Sequence, residues 1–445
     1  MSSLQPAGGQ KPRQRVFFGW WVVLAGFLND LAGTVAGPHV ASFFMADMTK
    51  ALAISRAVYS FAFSIRTFTD GFTGPVVGHL LDRYGPRMLV VVGALFSGFV
   101  IMALGAVREF WQLALVLAVL GITASAGMGR FIGTVTAARW FVRRRGRAIA
   151  LVTMGFSTGV TLFSPLTQVL IGVLEWRLAW VVLGAMVWVL VIPTSLAFMR
   201  KSPESMGLHP DGDEAQQGGQ GPAQKATRRR QEETPWTLAM ATRTRSFWLL
   251  GLGLLLAEGA VSGVTLHQVP AMLDAGFSRA DAASVLFIFG ISSFFSKLSA
   301  GFLAERFRVQ RLLIVAFLGT GASLLLLMDP RSLALLFVYG VFAGLMRGAF
   351  HTFVSVIWAE YFGRAFLGSI QGAYHPFDVV SRAAMPVVVG LLFSPTYKYR
   401  LAFSVVMAID LLSAVVLFFA PPPRHRTAPP QPAGVAAGTA AERHP

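Results

Sequence analysis

The chain has 445 residues, 54% of them apolar and 13% charged, and a mean hydropathy of +0.60. An ordinary water-soluble chain carries roughly 25% charged residues, so this composition argues against a soluble enzyme. The 38 Lys+Arg against 21 Asp+Glu give a net +17, but a nucleic-acid binder would gather that charge on one solvated face, and here it sits in short clusters between apolar runs. With no Cys, disulfide frameworks, Cys-ligated zinc, iron–sulfur clusters and thiol nucleophiles are excluded together.

A helix that crosses the hydrocarbon core needs about 20 mostly apolar residues. Twelve such runs follow one another, at roughly 18 to 41, 56 to 80, 87 to 107, 111 to 138, 147 to 171, 177 to 199, 246 to 271, 280 to 303, 310 to 328, 332 to 358, 366 to 392 and 400 to 420. Leu249 to Leu256 and Leu412 to Ala420 are almost continuously apolar, which excludes the alternating strands of an outer-membrane barrel. Lys11, Arg13 and Arg15 ahead of Phe17 to Leu28 imitate a signal peptide. No small-residue cleavage site follows, and Asn29-Asp30 leads into further membrane sequence, so the run reads as an uncleaved first span. Short basic loops stay cytoplasmic. Arg83 and Arg87, the cluster from Arg139 to Arg147, the stretch from Arg200 to Arg245 and Arg306 to Arg311 all fall on one side of the spans. The expectation is an inner-membrane protein with both termini cytoplasmic and no nucleic-acid partner.

The chain divides into a cytoplasmic tail (1–17), a six-helix bundle (18–199), a polar linker (200–245) with the Gly/Gln-rich run Gln216 to Gln224, a second six-helix bundle (246–420) and a Pro/Ala-rich tail (421–445). Pro235 to Arg245 is expected to form a short helix on the inner surface. The linker is expected to be flexible and the last tail disordered. The halves echo each other, as an internal repeat would. Gly78-His-Leu-Leu-Asp82-Arg83-Tyr84 matches Gly301-Phe-Leu-Ala-Glu305-Arg306-Phe307, and Ala138-Arg-Trp140-Phe141 matches Ala359-Glu-Tyr361-Phe362. Arg130 precedes the first of the latter pair and Arg347 the second, at separations that differ by about one helical turn.

Six plus six spans with Gly78-His-Leu-Leu-Asp82-Arg83-Tyr84-Gly85-Pro86-Arg87 resemble the major facilitator superfamily, over residues 16 to 420. Three stretches look like its monocarboxylate and oxalate/formate porter branch: Trp140 to Ala148, Pro203 to Gly212 and Ala241 to Trp248. The resemblance implies an all-α membrane protein of two pseudo-symmetric bundles. It also implies a cytoplasmic latch between halves at Gly78, Asp82, Arg83, Gly85 and Arg87, with a second copy at Gly301, Glu305 and Arg306. In that family the first, fourth, seventh and tenth helices line a central cavity, which implies cavity positions for Asp30, His39, Arg130, Glu258, His267, Arg347 and His351. Lys297 stands four residues before Gly301, where such porters carry a substrate-binding arginine. Ser293 replaces the acid that many of them place four residues earlier, so the anion-binding charge is retained and that coupling acid is not.

Ionisable groups within spans are costly and mark function by default. The bases are Arg66, Arg130, Lys297, Arg347 and Arg382; the acids are Asp30, Asp70, Glu258, Asp378 and Asp410. Spacing of i,i+4 pairs Arg66 with Asp70 and Asp378 with Arg382 on their helix faces, as structural or interface ion pairs. Asp410 reads as a packing or interface residue. The expected substrate ligands are Arg130, Arg347, Lys297, His351 and His39; the expected proton-coupling groups are His375, Asp378, Glu258 and Asp30.

No Gly-x-x-x-x-Gly-Lys-Ser/Thr loop cradles nucleotide phosphates and no His-Glu-x-x-His holds a metal, so neither ATP hydrolysis, a catalytic site, a metal nor a cofactor is expected. Convergent cations point to a secondary porter, acting as a monomer, that moves a small organic anion with protons or against a counter-anion. Transport of larger amphiphiles, a membrane enzyme and a transporter-like sensor are the rival readings.

Overall fold

The computed structural model describes residues 17–128, 130–141, 144–212, 236–363 and 366–423. Helix meets every expected run. The first span is two helices, Gly19–Gly33 and Pro38–Ala51, parted at Gly37, whose ψ of 165° is extended. Proline at the first helical position forfeits only an N–H that would be unpaired anyway. The span therefore continues to Ala51, well past the expected end at residue 41. The second and third, Arg56–Tyr84 and Pro86–Ala103, turn on Gly85 with φ +79°, a conformation that glycine adopts without steric penalty.

The fourth and tenth spans were expected to be continuous and are broken. The fourth is Phe110–Gly127 and Arg130–Trp140, interrupted by extended Met128 (φ −142°, ψ 152°); the tenth is Leu333–Gly348 and Phe350–Phe362, parted at Ala349. The fifth and sixth are the two arms of Arg145–Phe198, divided at Glu175 (φ 63°, ψ 167°). Arg245–Asp274, Arg279–Arg306, Val309–Met328, Leu367–Leu391 and Arg400–Phe418 are the seventh, eighth, ninth, eleventh and twelfth.

Among the described residues, eight helical stretches are long and apolar enough to cross a membrane, and one of them, 146–198, holds two spans. The first, second and eleventh fall outside that set. The first is split into pieces of 15 and 14 residues; the second carries Arg66 and Asp70, and the eleventh His375, Asp378 and Arg382. Such helices are stable where they face protein on several sides, and the second and eleventh pack on each other.

Two bundles result. In the first, the fifth span packs on the first and the second span on the fourth; in the second, the eighth packs on the tenth and the seventh on the eleventh and twelfth. Between bundles, the second span meets the eleventh, the fifth meets the eighth, and Pro38–Ala51 meets the seventh. Small residues let these helices approach closely. A Cβ at Gly71 would strike Val379, one at Gly290 would strike Thr161, and the hydroxyls of Ser157 and Ser293 lie 3.1 Å apart. Toward the end that carries the turn at Gly85, Gly74, Gly78, Gly146 and Gly372 have nothing within 4 Å of a Cβ position. The contacts named between the bundles thus gather at mid-depth and toward the end that carries Asp274 and Arg279, away from Gly85.

The linker starts later than expected. Residues 200–212 pack on the first bundle: Trp140 Nε1 donates to the Arg200 carbonyl at 3.2 Å, Leu208 joins Trp140 and Phe141, and the buried Asp211 accepts from the Arg144 amide at 3.2 Å. On the far side of the linker, Leu238–Thr242 is a short helix capped by Thr237, and Trp236 sits edge-on to Phe362 at 5.8 Å. The expected flexible run Gln216 to Gln224 and the last tail from residue 424 lie outside the described residues.

The third and fourth spans cross where Gly93 and Gly127 place backbone on backbone. A methyl at Gly127 overpacks that crossing, at a cost of about 1–3 kcal/mol. Gly127→Ala should therefore lower the thermal unfolding midpoint in detergent, while Gly74→Ala, facing open space, should leave it unchanged.

Candidate functional site

At the sealed end, two ion pairs join the bundles. Arg56 opens the second span and grips both carboxylate oxygens of Asp274, at the end of the seventh, with Nη2 2.8 Å from Oδ1. Arg279 opens the eighth span and pairs with Asp47, near the end of the first. The pairs are reciprocal: each bundle gives one arginine and receives one. They are also a repeat, because Ser55-Arg56-Ala57 and Ser278-Arg279-Ala280 stand at the same offset as Gly78 and Gly301. Ser55 and Ser278 cap their helices by accepting from the amides of Val58 and Asp281, which fixes each arginine in the first turn. Side chains in the first pair are 19% and 22% exposed, so water screens them only in part.

Behind Arg56 runs a directed chain of hydrogen bonds. Arg56 donates to the Tyr399 hydroxyl at 2.9 Å, and its guanidinium lies 4.1 Å over the Phe393 ring. Tyr399 reaches His267 Nδ1 at 2.9 Å, and His267 Nε2 reaches the Pro386 carbonyl and Ser60 Oγ, each at 2.9 Å. Only a donor satisfies a carbonyl, so Nε2 carries the proton and Nδ1 accepts from Tyr399. His267, expected on a cavity wall, is instead a fully buried node of the seal.

A second assembly lies deeper. Arg347 is 7% exposed, and none of its three guanidinium nitrogens has a hydrogen-bond partner among the described residues. Tyr339 donates its hydroxyl proton to Gln268 Oε1 at 3.0 Å and turns the oxygen lone pairs of the same hydroxyl to Arg347 beside it. Lys297 donates to the Thr153 carbonyl at 3.1 Å and stands 5.0 Å over the Phe156 ring. His39, 6% exposed, is held by Phe156 at 5.6 Å and Phe289 at 5.5 Å, with Nε2 unpartnered. Both Lys297 and Arg347 act on His39 electrostatically. Asp30, buried, accepts from the Phe156 amide at 2.9 Å and so anchors that ring's helix. Two cations and an imidazole from three spans converge around two phenylalanines.

A third assembly spans the seam between the second and eleventh helices. Asp378 and Arg382 are paired at 3.0 Å, with Glu258 and the unpartnered Tyr374 hydroxyl in the same field. Arg66 faces them from the other bundle, within reach of Arg382. The expected Arg66–Asp70 ion pair does not form. Asp70 Oδ1 accepts from the Ser125 hydroxyl on the fourth span, and Arg66 Nε is buried without a partner. A one-turn spacing permits a pair, and the neighbouring helix diverts it.

The remaining candidates are scattered or undescribed. His375 is exposed, one turn from the buried Asp378. Arg83, Arg87 and Arg306 are exposed at the parted end, next to Gly85. The side chains of Arg130, His351, Asp82, Gly301 and Glu305 lie outside the described residues. Sequence reasoning missed the gate formed by Asp47, Arg56, Asp274, Arg279 and Tyr399. Its signal was the repeated Ser-Arg-Ala at the start of the second and eighth spans.

The family model of the Major Facilitator Superfamily matches residues 22–271 and again 249–443. The chain belongs to the major facilitator superfamily. It is a multi-pass membrane transporter of small molecules, and its relatives are transporters, not enzymes. It is 22% identical over 408 residues to the uncharacterized MFS-type transporter YcxA of Bacillus subtilis (strain 168), covering 89% of this chain and 94% of that one. It is 26% identical over 299 residues to monocarboxylate transporter 12 of Rattus norvegicus, covering 63% of this chain and 61% of that one. A bacterial homolog of the human lysosomal transporter Spinster, solved inward-facing and unoccupied, superposes with a TM-score of 0.65 at 16% identity, over 93% of this chain and 98% of that one. The broken first, fourth and tenth spans are the kind of discontinuity around which transporters of this construction build their sites.

Because this transporter has no Cys, Ser60→Cys, fully buried in the seal, is a clean reporter for an impermeant maleimide. Adding Arg56→Gln should raise its labelling about tenfold, which corresponds to about 1.4 kcal/mol. The swap Arg56→Asp with Asp274→Arg should restore protection. An unchanged rate in Arg56→Gln would assign the seal to helix packing instead.

Proposed function

We propose that this transporter carries a small organic anion, a mono- or dicarboxylate, by alternating access across the inner membrane, with protons or in exchange for another anion. The observation that carries the reading is Arg347, a guanidinium 7% exposed that is in no ion pair among the described residues and has only the neutral Tyr339 hydroxyl beside it. A buried charge left unanswered is strongly unfavourable, and a carboxylate answers it in a bidentate manner. Lys297, which acts on the same imidazole of His39, supplies a second, less directional charge. Phe156 and Phe289 flank that imidazole and offer an apolar wall for the body of a small acid. The likeness to a monocarboxylate transporter supports the same class. Arg130 and His351 belong to this proposed site by their places on the broken fourth and tenth spans.

The distribution of Lys and Arg orients the molecule with both termini cytoplasmic. The sealed end then faces outward and the parted end faces the cytoplasm. The loops at Gly78 to Arg87 and Gly301 to Arg306 serve as the cytoplasmic latch that closes when the outer seal opens. Asp30, Glu258, His375 and Asp378 are the groups that couple protons by this reading, with Arg66 and Arg382 as interface charges.

The test is counterflow in liposomes loaded with lactate, pyruvate, oxalate, malonate or succinate. Arg347→Gln should abolish counterflow of the acid that wild type carries, since truncating one partner of a buried charge pair costs about 2–5 kcal/mol, or roughly thirtyfold or more. Lys297→Gln should weaken it and Lys297→Arg should preserve it. Unchanged counterflow by Arg347→Gln would overturn the reading.

A further inference from the structure

The hydrogen-bond chain behind Arg56 is polarised along its whole length. Arg56, which can only donate, gives to the Tyr399 oxygen, so the Tyr399 proton is left for His267 Nδ1. At the other ring nitrogen, Ser60 spends its own proton on the Arg56 carbonyl at 2.8 Å and so offers Nε2 a lone pair, as the Pro386 carbonyl does. His267 therefore sits between one donor and two acceptors, with Nε2 protonated and Nδ1 bare. His267, Ser60 and Tyr399 are all buried. The chain crosses the seam twice, since Arg56 and Ser60 belong to the first bundle and Tyr399, His267 and Pro386 to the second.

Such a site excludes a second proton. On Nδ1 it would meet the hydroxyl proton of Tyr399, and a hydroxyl that turned away would accept from two cations while its own proton found no acceptor in the chain. The charges around His267 offer no relief. Arg56 stands on the second span, where the Tyr59 hydroxyl is spent on the Ala41 carbonyl. On the seventh span itself, the Asp274 carboxylate is held by Arg56, and its backbone carbonyl by Lys398. On Pro38–Ala51, Asp47 is paired with Arg279 of the eighth span, and His39 belongs to the deeper assembly. At the start of the twelfth span, Arg400 pairs with Asp329 at the surface; on the eleventh, Arg382 pairs with Asp378. An imidazolium here would be a second cation behind Arg56, and burying a charge without its own partner is strongly unfavourable.

We propose that His267 is a proton-binding site that works the seal: neutral, it locks the closed seam, and a second proton, accepted only after the seam has opened to water, keeps it from closing. This rests on the alternating access proposed above and not on the identity of the solute. When the bundles part, Arg56 and Ser60 withdraw, the Tyr399 oxygen is free to accept from Nδ1, and water surrounds a ring that ordinarily titrates near pH 6.5. The open form binds the proton and the sealed form does not, so acid shifts the balance toward the open form and alkali leaves the seal intact. With the sealed end facing outward, acid outside the cell holds the carrier open there.

Because the chain has no Cys, Ala51→Cys and Ala280→Cys, at exposed positions on the two sides of the seam at this end, report the opening as a spin-label distance in full-length protein in nanodiscs. Below about pH 6.5 the longer-distance population should grow against the shorter by up to about tenfold per pH unit, and the change should reverse at neutral pH. His267→Gln keeps a donor for the Pro386 carbonyl and an acceptor for Tyr399 but does not titrate, so it should hold the short distance to about pH 5, above the ordinary range of carboxylates. Should that variant fail to fold, nitrogen-15 NMR of wild type replaces it: the His267 ring should gain its second proton over the pH range in which the labels part. An unchanged distance in wild type, an equal response in His267→Gln, or a doubly protonated His267 while the labels stay close would each overturn the proposal. Arg56→Gln at neutral pH keeps the two readings apart. If it parts the labels and acid does not, only the role of His267 falls; if neither parts them, alternating access through this seal falls as well.

Discussion

A charge withdrawn from water has to be met by an opposite charge or by hydrogen bonds, and where this chain finds its answers determines its shape. At the sealed end two partly buried arginines are answered across the seam: Arg56 by Asp274, Arg279 by Asp47. Neither arginine has a carboxylate of its own bundle in these pairs. The closed seam is thus held by interactions that vanish when the halves separate, and both vanish together because the repeat relates them.

The helix packing favours the same geometry. Gly71 against Val379 and Gly290 against Thr161 leave no room for a side chain, so the second and eleventh spans, and the fifth and eighth, touch at mid-depth, where the proposed rocking of the halves would pivot. Beyond them, Gly74, Gly78, Gly146 and Gly372 face open space. Two stiff bundles that touch at their middles can be closed at one end or at the other. Arg83, Arg87 and Arg306 stand exposed at the end that carries Gly85, where the proposed latch would close.

The fold was legible in the sequence because the membrane imposes a length and a polarity on each span, and the repeat at Gly78 and Gly301 showed that the spans fall into two equivalent sets. The break at Met128 was hidden, since residues on either side remain apolar and periodicity does not register a single change of φ and ψ, whereas the turn at Glu175 falls between the expected fifth and sixth spans. The candidate assembly of Arg347, Lys297 and His39 was visible in the sequence as ionisable residues within spans, and not as pairing. Arg66 and Asp70 lie one turn apart and still do not meet, because Ser125 on a neighbouring helix takes the carboxylate. The reciprocal gate went unread for a related reason. Asp47, Arg56, Asp274 and Arg279 fall at the ends of spans, where charge is ordinary, and only the contact between bundles makes them a device.

The eleventh span links the gate to the interior. Its Pro386 carbonyl receives the proton of His267 at the end of the chain that starts at Arg56. About one and two helical turns away, the same helix carries Arg382 and Asp378, opposite Arg66 of the other bundle. A rigid helix gripped at both levels cannot follow one without disturbing the other. Opening the seal releases Arg56, removes the donor from Tyr399 and slackens the hold on Pro386, while any ligand that re-sorts the charges around Arg66 and Arg382 pulls on the same element from below. A substrate shifts the balance between closed and open only by the difference in how it is bound in the two states. In the alternating-access cycle proposed above, a buried charge in no ion pair, Arg347 above all, is where that difference would be largest, and the ion pairs across the seam would set how large it must be.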